Sequence, residues 1–119
     1  MTVPEGGTAV PTEIDVEAAA SLLRGTGPDR PLLLDCRTVE EHTLARIEGS
    51  ILIPIQELPQ RIDELDRHRD GTVIVHCHHG VRSLRVVNWL RERGFPRATS
   101  MAGGIDAWST RVDQRVPRY

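Results

Sequence analysis

Lysine is absent from this chain of 119 residues, and all fifteen of its basic side chains are arginine. The absence excludes Schiff-base catalysis, a phosphate-binding loop built on lysine and a lysine general base, because each needs a compact or titratable ammonium. Any cationic role therefore falls to arginine, which keeps its charge and presents a planar fork of donors.

Other scarce features narrow the class of protein further. Aromatic residues make up only 3% of the chain, and the formal net charge is -2. Nucleic-acid binders need basic surfaces and stacking platforms, so no such partner is expected. No apolar run approaches the roughly 20 residues that cross a bilayer, so no membrane partner is expected either. The first residues lack the basic and apolar parts of a secretory signal.

Cysteine is also scarce, with two residues at positions 36 and 77. Two cysteines are too few for a disulfide framework, and their spacing lacks the close pairing of a zinc site. We therefore expect a cytoplasmic protein with free thiols.

The pattern along the chain indicates one α/β domain. Residues 1–11 contain two prolines and two glycines and are predicted to form a flexible leader, whereas residues 12–119 are predicted to form a single domain. Apolar runs typical of buried strands lie at residues 31–36, 51–53, 72–76 and 98–101. Helices are predicted at residues 15–24, 38–44, 58–65 and 83–93, with a last turn through Trp108. This alternation predicts a parallel sheet flanked by helices on both faces.

Two of the predicted strands end in thiols, Cys36 and Cys77. Functional sites in parallel sheets lie beyond the carboxyl ends of the strands. Four residues separate Cys77 from Arg82, which opens the next predicted helix together with Ser83. Such a loop wraps backbone N–H groups and a helix N-terminus around the sulfur, and we expect Gly80 to adopt the positive φ that it needs. The segment therefore predicts a nucleophilic thiolate at Cys77.

Charge is unevenly distributed around this segment. Residues 77–97 hold five arginines and one acid, whereas residues 12–70 hold thirteen acids and seven arginines. An anionic substrate would be drawn to the cysteine end of the molecule. Arg82 lies inside the loop and is expected to act there, whereas Arg85, Arg91, Arg93 and Arg97 are expected to solvate a surface.

Several segments occur in an order that matches a known family. The chain resembles the rhodanese-like sulfurtransferases in their single-domain form, over residues 12–108. The matching segments are DCRTVEEH at 35–42, IEGSILIP at 47–54, CHHGVRS at 77–83, GF at 94–95, MAGG at 101–104 and AW at 107–108. Each match is weak alone, but together and in register they are specific.

The resemblance implies a rhodanese-like α/β fold with a five-stranded parallel sheet. It also implies a catalytic cysteine, here Cys77, that carries a sulfane sulfur as a persulfide from thiosulfate or a persulfide donor to a thiophilic acceptor. No metal or organic cofactor is implied, and the acceptor could be a sulfur-carrier protein. Arg82 would bind the oxygens of the anionic donor. The substrate-binding and active-site loop would comprise His78, His79, Gly80, Val81, Arg82 and Ser83.

Supporting roles and departures follow from the same comparison of motifs. Asp35 and Arg37, with Glu41, are expected to support the loop through ion pairs and hydrogen bonds. Arg46 stands where the family often has histidine; it either adds a cation to the pocket or lies on the surface, and both interpretations stay open. Cys36 replaces the usual valine and is expected to be a small buried hydrophobe in preference to a resolving thiol. Glu48 replaces the usual proline.

Three alternatives to sulfur transfer arise from the same residues. The first alternative is a cysteine phosphatase. Related phosphatases have a loop one residue longer between cysteine and arginine, to fit a larger tetrahedral group, so the four-residue loop of this chain favours sulfur over a phosphoryl group. A metal site around Cys77 would use His76, His78 and His79, but consecutive residues cannot converge on one ion without distorting the backbone, so no structural metal is predicted. A persulfide carrier or regulatory module that acts on a protein partner without turnover would use the same residues, so this alternative stays open.

The tail of the chain, residues 109–119, is similar to the ending of other rhodanese modules, including modules fused to adenylating enzymes. We expect it to pack Val116 and Tyr119 back onto the domain. A role in binding carrier or cofactor-biosynthesis partners is the weaker interpretation.

Overall fold

The computed structural model describes residues 10–119, so the predicted leader lies outside the described residues except for Val10 and Pro11. One sheet has the strand order β1-β5-β4-β2-β3, and every neighbouring pair in it is parallel. This arrangement confirms the predicted five-stranded parallel sheet. The strands are β1 (Glu13–Ile14), β2 (Leu32–Asp35), β3 (Ile51–Leu52), β4 (Val73–His76) and β5 (Ala98–Met101).

Helices connect these strands, and the first two of them begin with side-chain caps. The Asp15 carboxylate accepts a hydrogen bond from the Ala18 N–H at 2.8 Å. Thr38 and Glu41 form a reciprocal capping box, which satisfies two N–H groups that a helix start otherwise leaves free. The helices are α1 (Val16–Leu23), α2 (Val39–Leu44), α3 (Leu58–Arg61), α4 (Val81–Glu92) and α5 (Gly104–Arg111).

The structure differs from the sequence prediction in the region between β3 and β4. In place of one helix over residues 58–65, a single α-turn (α3) lies between two 3₁₀ segments, Ile55–Glu57 and Ile62–His68. A 3₁₀ helix brings residues three apart onto one face, so Ile62 and Leu65 both reach the core from the second segment. Strand β1, two residues long, is too short to produce an apolar run.

Both faces of the sheet are covered, as predicted. One core layer packs alternate residues of β2 and β4 against Val86, Val87 and Leu90 of α4. The opposite layer packs Leu33 and Ile74 against α1 and α5. None of the helices among residues 10–119 is long and apolar enough to cross a membrane.

Candidate active site

Cys77 lies directly after β4 and is 1% exposed. Its Sγ accepts hydrogen bonds from the backbone N–H groups of Gly80 at 3.1 Å and Ser83 at 3.3 Å. Ser83 is the third residue of α4, and N–H groups at this position have no partner within the helix. The sulfur therefore takes the place of a capping side chain at the N-terminus of α4, where the helix dipole favours negative charge.

Gly80 allows the loop to close on the sulfur. Its φ of 103° lies in the left-handed region, as predicted from the sequence. A Cβ at this position would also lie 3.2 Å from the backbone nitrogen of Gly103. A side chain here would therefore strain the backbone and press on the turn that precedes α5.

A pair of buried hydroxyls extends the environment of the sulfur. Ser83 Oγ lies 3.4 Å from Cys77 Sγ and 2.7 Å from Ser100 Oγ on β5. Both serines are fully buried. The Ser83 hydroxyl is thus placed to donate to a thiolate while it accepts from Ser100.

The start of α5 holds the cysteine loop in place through two backbone hydrogen bonds. The N–H of Ile105 donates to the Cys77 carbonyl at 2.9 Å, and the N–H of Asp106 donates to the His78 carbonyl at 3.1 Å. Gly104 has a φ of 61°, and a Cβ on it would lie 2.5 Å from the Cys77 carbonyl oxygen. The close approach of these two backbones requires glycine at this position.

The Asp35 carboxylate and the Arg37 guanidinium form a buried bidentate pair, with bonds of 2.9 Å and 2.7 Å. Burial opposes ionisation of Asp35, but hydrogen bonds from Arg37 and His42 outweigh it and the pKa of the carboxyl is lowered. Arg37 also donates to the carbonyl oxygens of Ala45 at 2.6 Å and Glu41 at 3.3 Å. The pair therefore fixes the segment that carries α2.

Arg82 does not present an isolated charge, because Glu41 binds it. Two parallel hydrogen bonds of 2.7 Å and 2.9 Å join the guanidinium to the carboxylate. These bonds hold the pKa of Glu41 well below its usual range. Glu41 thus connects the capping box of α2 to the cysteine loop.

The histidines around Cys77 have separate environments. His76 is fully buried, neither of its ring nitrogens has a hydrogen-bond partner within residues 10–119, and burial lowers its pKa to about 4. The ring of His78 stacks on that of His79, with centroids 4.0 Å apart. Burial, with the neighbouring His79, lowers the pKa of His78, so this ring is neutral at pH 7.

His78, His79 and Asp106 offer ligand atoms that all lie within 4.8 Å of one another. The two imidazole planes are only 24° apart and stacked, whereas a metal ion binds an imidazole nitrogen in the plane of its ring. Asp106 is also paired with Arg118 at 2.9 Å. The group is not arranged to hold one ion without moving its side chains.

The other predicted residues occupy different positions. Cys36 is fully buried in the core, as expected of a small buried hydrophobe, and burial with the nearby Cys77 raises its pKa to about 12. Arg46 is exposed and makes no hydrogen bond or ion pair with the described residues. Val81 is 69% exposed, beside the loop at the start of α4.

The tail packs onto the domain, as the sequence predicts. Val116 is buried in the same core layer as Trp108. The Tyr119 ring stacks on His78, and its hydroxyl bonds to Arg37 and Glu41. No sequence signal linked Ser100 or Tyr119 to the cysteine, because serine on a strand and tyrosine in a tail are common in proteins without any such site.

Comparisons with known proteins point to one family. The sequence model of the rhodanese-like domain matches residues 15–111. A sulfurtransferase of Allochromatium vinosum is 33% identical over 97 residues, which span 82% of this chain and 87% of that protein. The thiosulfate sulfurtransferase GlpE of Actinobacillus succinogenes is 31% identical over 97 residues, which span 82% of this chain and 83% of that protein.

The fold matches solved structures as well. A rhodanese-like domain protein from Staphylococcus aureus has a TM-score of 0.75 and 26% identity, with 92% of this chain and 99% of that one covered. Several longer curated relatives match over one part only; this chain spans 23% of the adenylyltransferase and sulfurtransferase MOCS3 of Arabidopsis thaliana. The chain belongs to the rhodanese-like domain family, and relatives of similar length are sulfurtransferases.

Proposed function

We propose that this protein transfers a sulfane sulfur from an anionic donor such as thiosulfate to a thiophilic acceptor, through a persulfide on Cys77. The observation that carries the proposal is the placement of Cys77 Sγ, which accepts two backbone N–H groups at the N-terminus of α4. These donors stabilise negative charge on the sulfur before and after transfer. The thiosulfate sulfurtransferase among the relatives supports the choice of donor.

In the first half-reaction, the Cys77 thiolate attacks the outer sulfur of thiosulfate. A new sulfur–sulfur bond forms, the sulfur–sulfur bond of thiosulfate breaks, and its electron pair leaves with sulfite. The product is the Cys77 persulfide anion. Ser83 would donate its hydroxyl to this anion, since its Oγ lies 3.4 Å from the sulfur.

Arg82 contributes to donor binding while it remains bound to Glu41. The pair uses two of the five N–H donors of the guanidinium, and the described residues take none of the others. Glu41 therefore fixes the orientation of Arg82, and the remaining donors can bind the oxygens of thiosulfate.

In the second half-reaction, a nucleophile attacks the terminal sulfur of the persulfide and restores the Cys77 thiolate. Cyanide serves in the test tube, where it leaves as thiocyanate. The physiological acceptor is a thiol, free or on a protein, and the exposed Val81 beside the loop offers an apolar contact to a protein acceptor. Two half-reactions through one covalent intermediate predict ping-pong kinetics.

The test is a steady-state assay with thiosulfate and cyanide on the wild type, Cys77→Ser and Cys36→Ser. We expect parallel double-reciprocal lines for the wild type and for Cys36→Ser, and no turnover for Cys77→Ser. Full activity of Cys77→Ser would overturn the proposal. So would turnover of an aryl phosphate without any sulfur transfer.

A further inference from the structure

Tyr119 joins three parts of the active site that are distant in sequence. Its hydroxyl accepts from Arg37 Nη1 at 2.8 Å and donates to Glu41 Oε2 at 2.8 Å. Its ring stacks on His78, with centroids 4.0 Å apart and planes 10° apart. We infer that Tyr119 is a positioning residue for sulfur transfer, acting through Glu41 on Arg82 and through His78 on the Cys77 loop; this inference rests on the proposed function.

The tyrosine is attached to a fixed point of the core. Arg37 is fully buried, and Asp35 and the Ala45 carbonyl oxygen hold its guanidinium. The Tyr119 hydroxyl accepts from this immobile donor and passes a hydrogen bond on to Glu41. Burial raises the pKa of Tyr119 to about 12, so its hydroxyl remains a donor at neutral pH.

Three separate contacts bring the tyrosine to this position. Val116 is buried in the core, and its carbonyl oxygen accepts from Ser109 Oγ at 2.5 Å. Arg118 bonds to Asp106 at 2.9 Å, in the first turn of α5. The segment is thus held on both sides of Pro117, and Tyr119 does not depend on a single contact for its place.

Glu41 connects Tyr119 to Arg82, the residue assigned to binding the sulfur donor. Oε2 of Glu41 accepts from both Tyr119 and Arg82, at 2.8 Å and 2.9 Å. Without the phenol, Glu41 Oε2 loses one of its two hydrogen-bond donors, and the carboxylate and Arg82 are held less firmly. Because Arg82 is assigned to donor binding, its displacement raises the KM for thiosulfate more than it lowers kcat.

The stacked ring acts on the loop itself. His78 follows Cys77 directly and lies between the rings of His79 and Tyr119. The backbone carbonyl of His78 is already held by Asp106, so the stack restrains the side chain of a residue whose main chain is fixed. Loss of the ring exposes this side of the loop to solvent and removes one of the contacts that keep the loop closed.

The test separates hydroxyl from ring. Tyr119→Phe keeps the stack and removes the hydrogen bonds, whereas Tyr119→Leu removes both. Arg115→Ala is the matched control, because Arg115 lies in the same tail, is 91% exposed and, among the described residues, pairs only with Asp113. We expect Tyr119→Phe to raise the KM for thiosulfate three- to tenfold with kcat within twofold. Arg115→Ala should match the wild type. An unchanged KM in Tyr119→Phe would overturn the role of the hydroxyl.

A double-mutant cycle shows whether Tyr119 acts through Glu41. If it does, Tyr119→Phe has little further effect on KM in a Glu41→Gln background, because the bond that it removes no longer holds Arg82. If the KM of the double variant instead rises by the product of the two single effects, the two residues act independently and the proposed link is contradicted.

Hydrogen exchange of the loop provides a readout that does not depend on sulfur transfer. Tyr119→Leu should speed amide exchange in residues 77–83 at least fivefold and leave β4 and β5 unchanged, whereas equal exchange in the loop would overturn the role of the ring. If the wild type forms no persulfide, the proposed function fails, and exchange still decides whether Tyr119 positions the loop.

Discussion

The sulfur of Cys77 depends on donors that come from its own loop and from the first turn of α4. Backbone N–H groups of Gly80 and Ser83 reach it directly, and the Ser83 hydroxyl lies 3.4 Å away. The backbone donors remain in any variant that folds. The hydroxyl is the one donor among these that a conservative substitution can remove.

We predict that Ser83→Ala slows persulfide formation about tenfold. A hydrogen bond to a charged group contributes roughly 1.5 kcal/mol or more, and the loss of one donor to the thiolate and persulfide raises the barrier by about that amount. Rapid mixing with thiosulfate, followed by acid quench and mass analysis, measures the rate. Ser50→Ala is the control, since the Ser50 hydroxyl is also buried but has no hydrogen-bond partner among the described residues; an equal loss in both variants would contradict the assignment.

Sequence reasoning found some residues of the site and missed others for physical reasons. Cys77, Gly80 and Arg82 follow from local order, because a strand end, a glycine and a helix start lie within seven residues. Ser100 and Tyr119 reach the site from other elements, and nothing in a single sequence reports such distant contacts. Glu41 was expected to support the loop through ion pairs, but its specific partner, Arg82, becomes visible only in the folded chain.

At the scale of elements, the sheet places the cysteine and α5 fixes its loop. The first N–H groups of α5 donate to the carbonyl oxygens of Cys77 and His78 instead of to water. Gly103 and Gly104 both have positive φ, which brings the start of this helix against the loop. The Gly-Gly turn therefore has a role in the site as well as in the fold.

We predict that Gly104→Ala lowers the free energy of unfolding by about 3 kcal/mol and abolishes most sulfur transfer. The new Cβ would overlap the Cys77 carbonyl oxygen and, still more closely, that of His78, so one backbone must move. Urea denaturation and the thiosulfate assay measure the two effects.

Gly27→Ala is the matched control for backbone strain. Gly27 also has a positive φ, 86°, but a Cβ there would meet nothing within 4 Å. Gly27→Ala should lower the free energy of unfolding by about 1 kcal/mol, which is the penalty of the left-handed conformation alone, and it should leave activity intact. Equal losses of stability and activity in the two variants would show that contact with the loop is unimportant.

The elements themselves were largely predictable. Helix starts at Asp15 and Thr38, and the strands β2, β4 and β5, follow from caps and apolar runs. The type of helix between β3 and β4 could not be predicted, because spacings of three and four residues suit both α and 3₁₀ turns. Only packing in the folded chain decides between them. The two-residue strand β1 depends on pairing with β5, which leaves no local pattern.

At the scale of the whole molecule, one buried histidine links stability to pH. His76 is neutral in the core, since burial lowers its pKa to about 4, with Asp35 acting in the opposite direction. The unfolded chain binds a proton near pH 6.5, before the folded state does. Stability due to His76 is therefore complete above pH 6.5 and falls as the pH drops towards 4.

We predict that the free energy of unfolding falls by about 3 kcal/mol between pH 6.5 and pH 4 through His76. Urea denaturation at a series of pH values measures it. His76→Leu should remove most of this slope, whereas His68→Leu, at a partly exposed position, should retain most of it. A wild-type slope that survives in His76→Leu would show that another group is responsible.

The most direct test of the account is the intact mass of the protein after treatment with thiosulfate, for the wild type, Cys36→Ser and Cys77→Ser. We predict that the wild type and Cys36→Ser each gain the mass of one sulfur atom, which cyanide then removes. Cys77→Ser should gain nothing. A gain in Cys77→Ser equal to that of the wild type, or no cyanide-removable sulfur on the wild type, would contradict the assignment of Cys77 as the carrier of the sulfur.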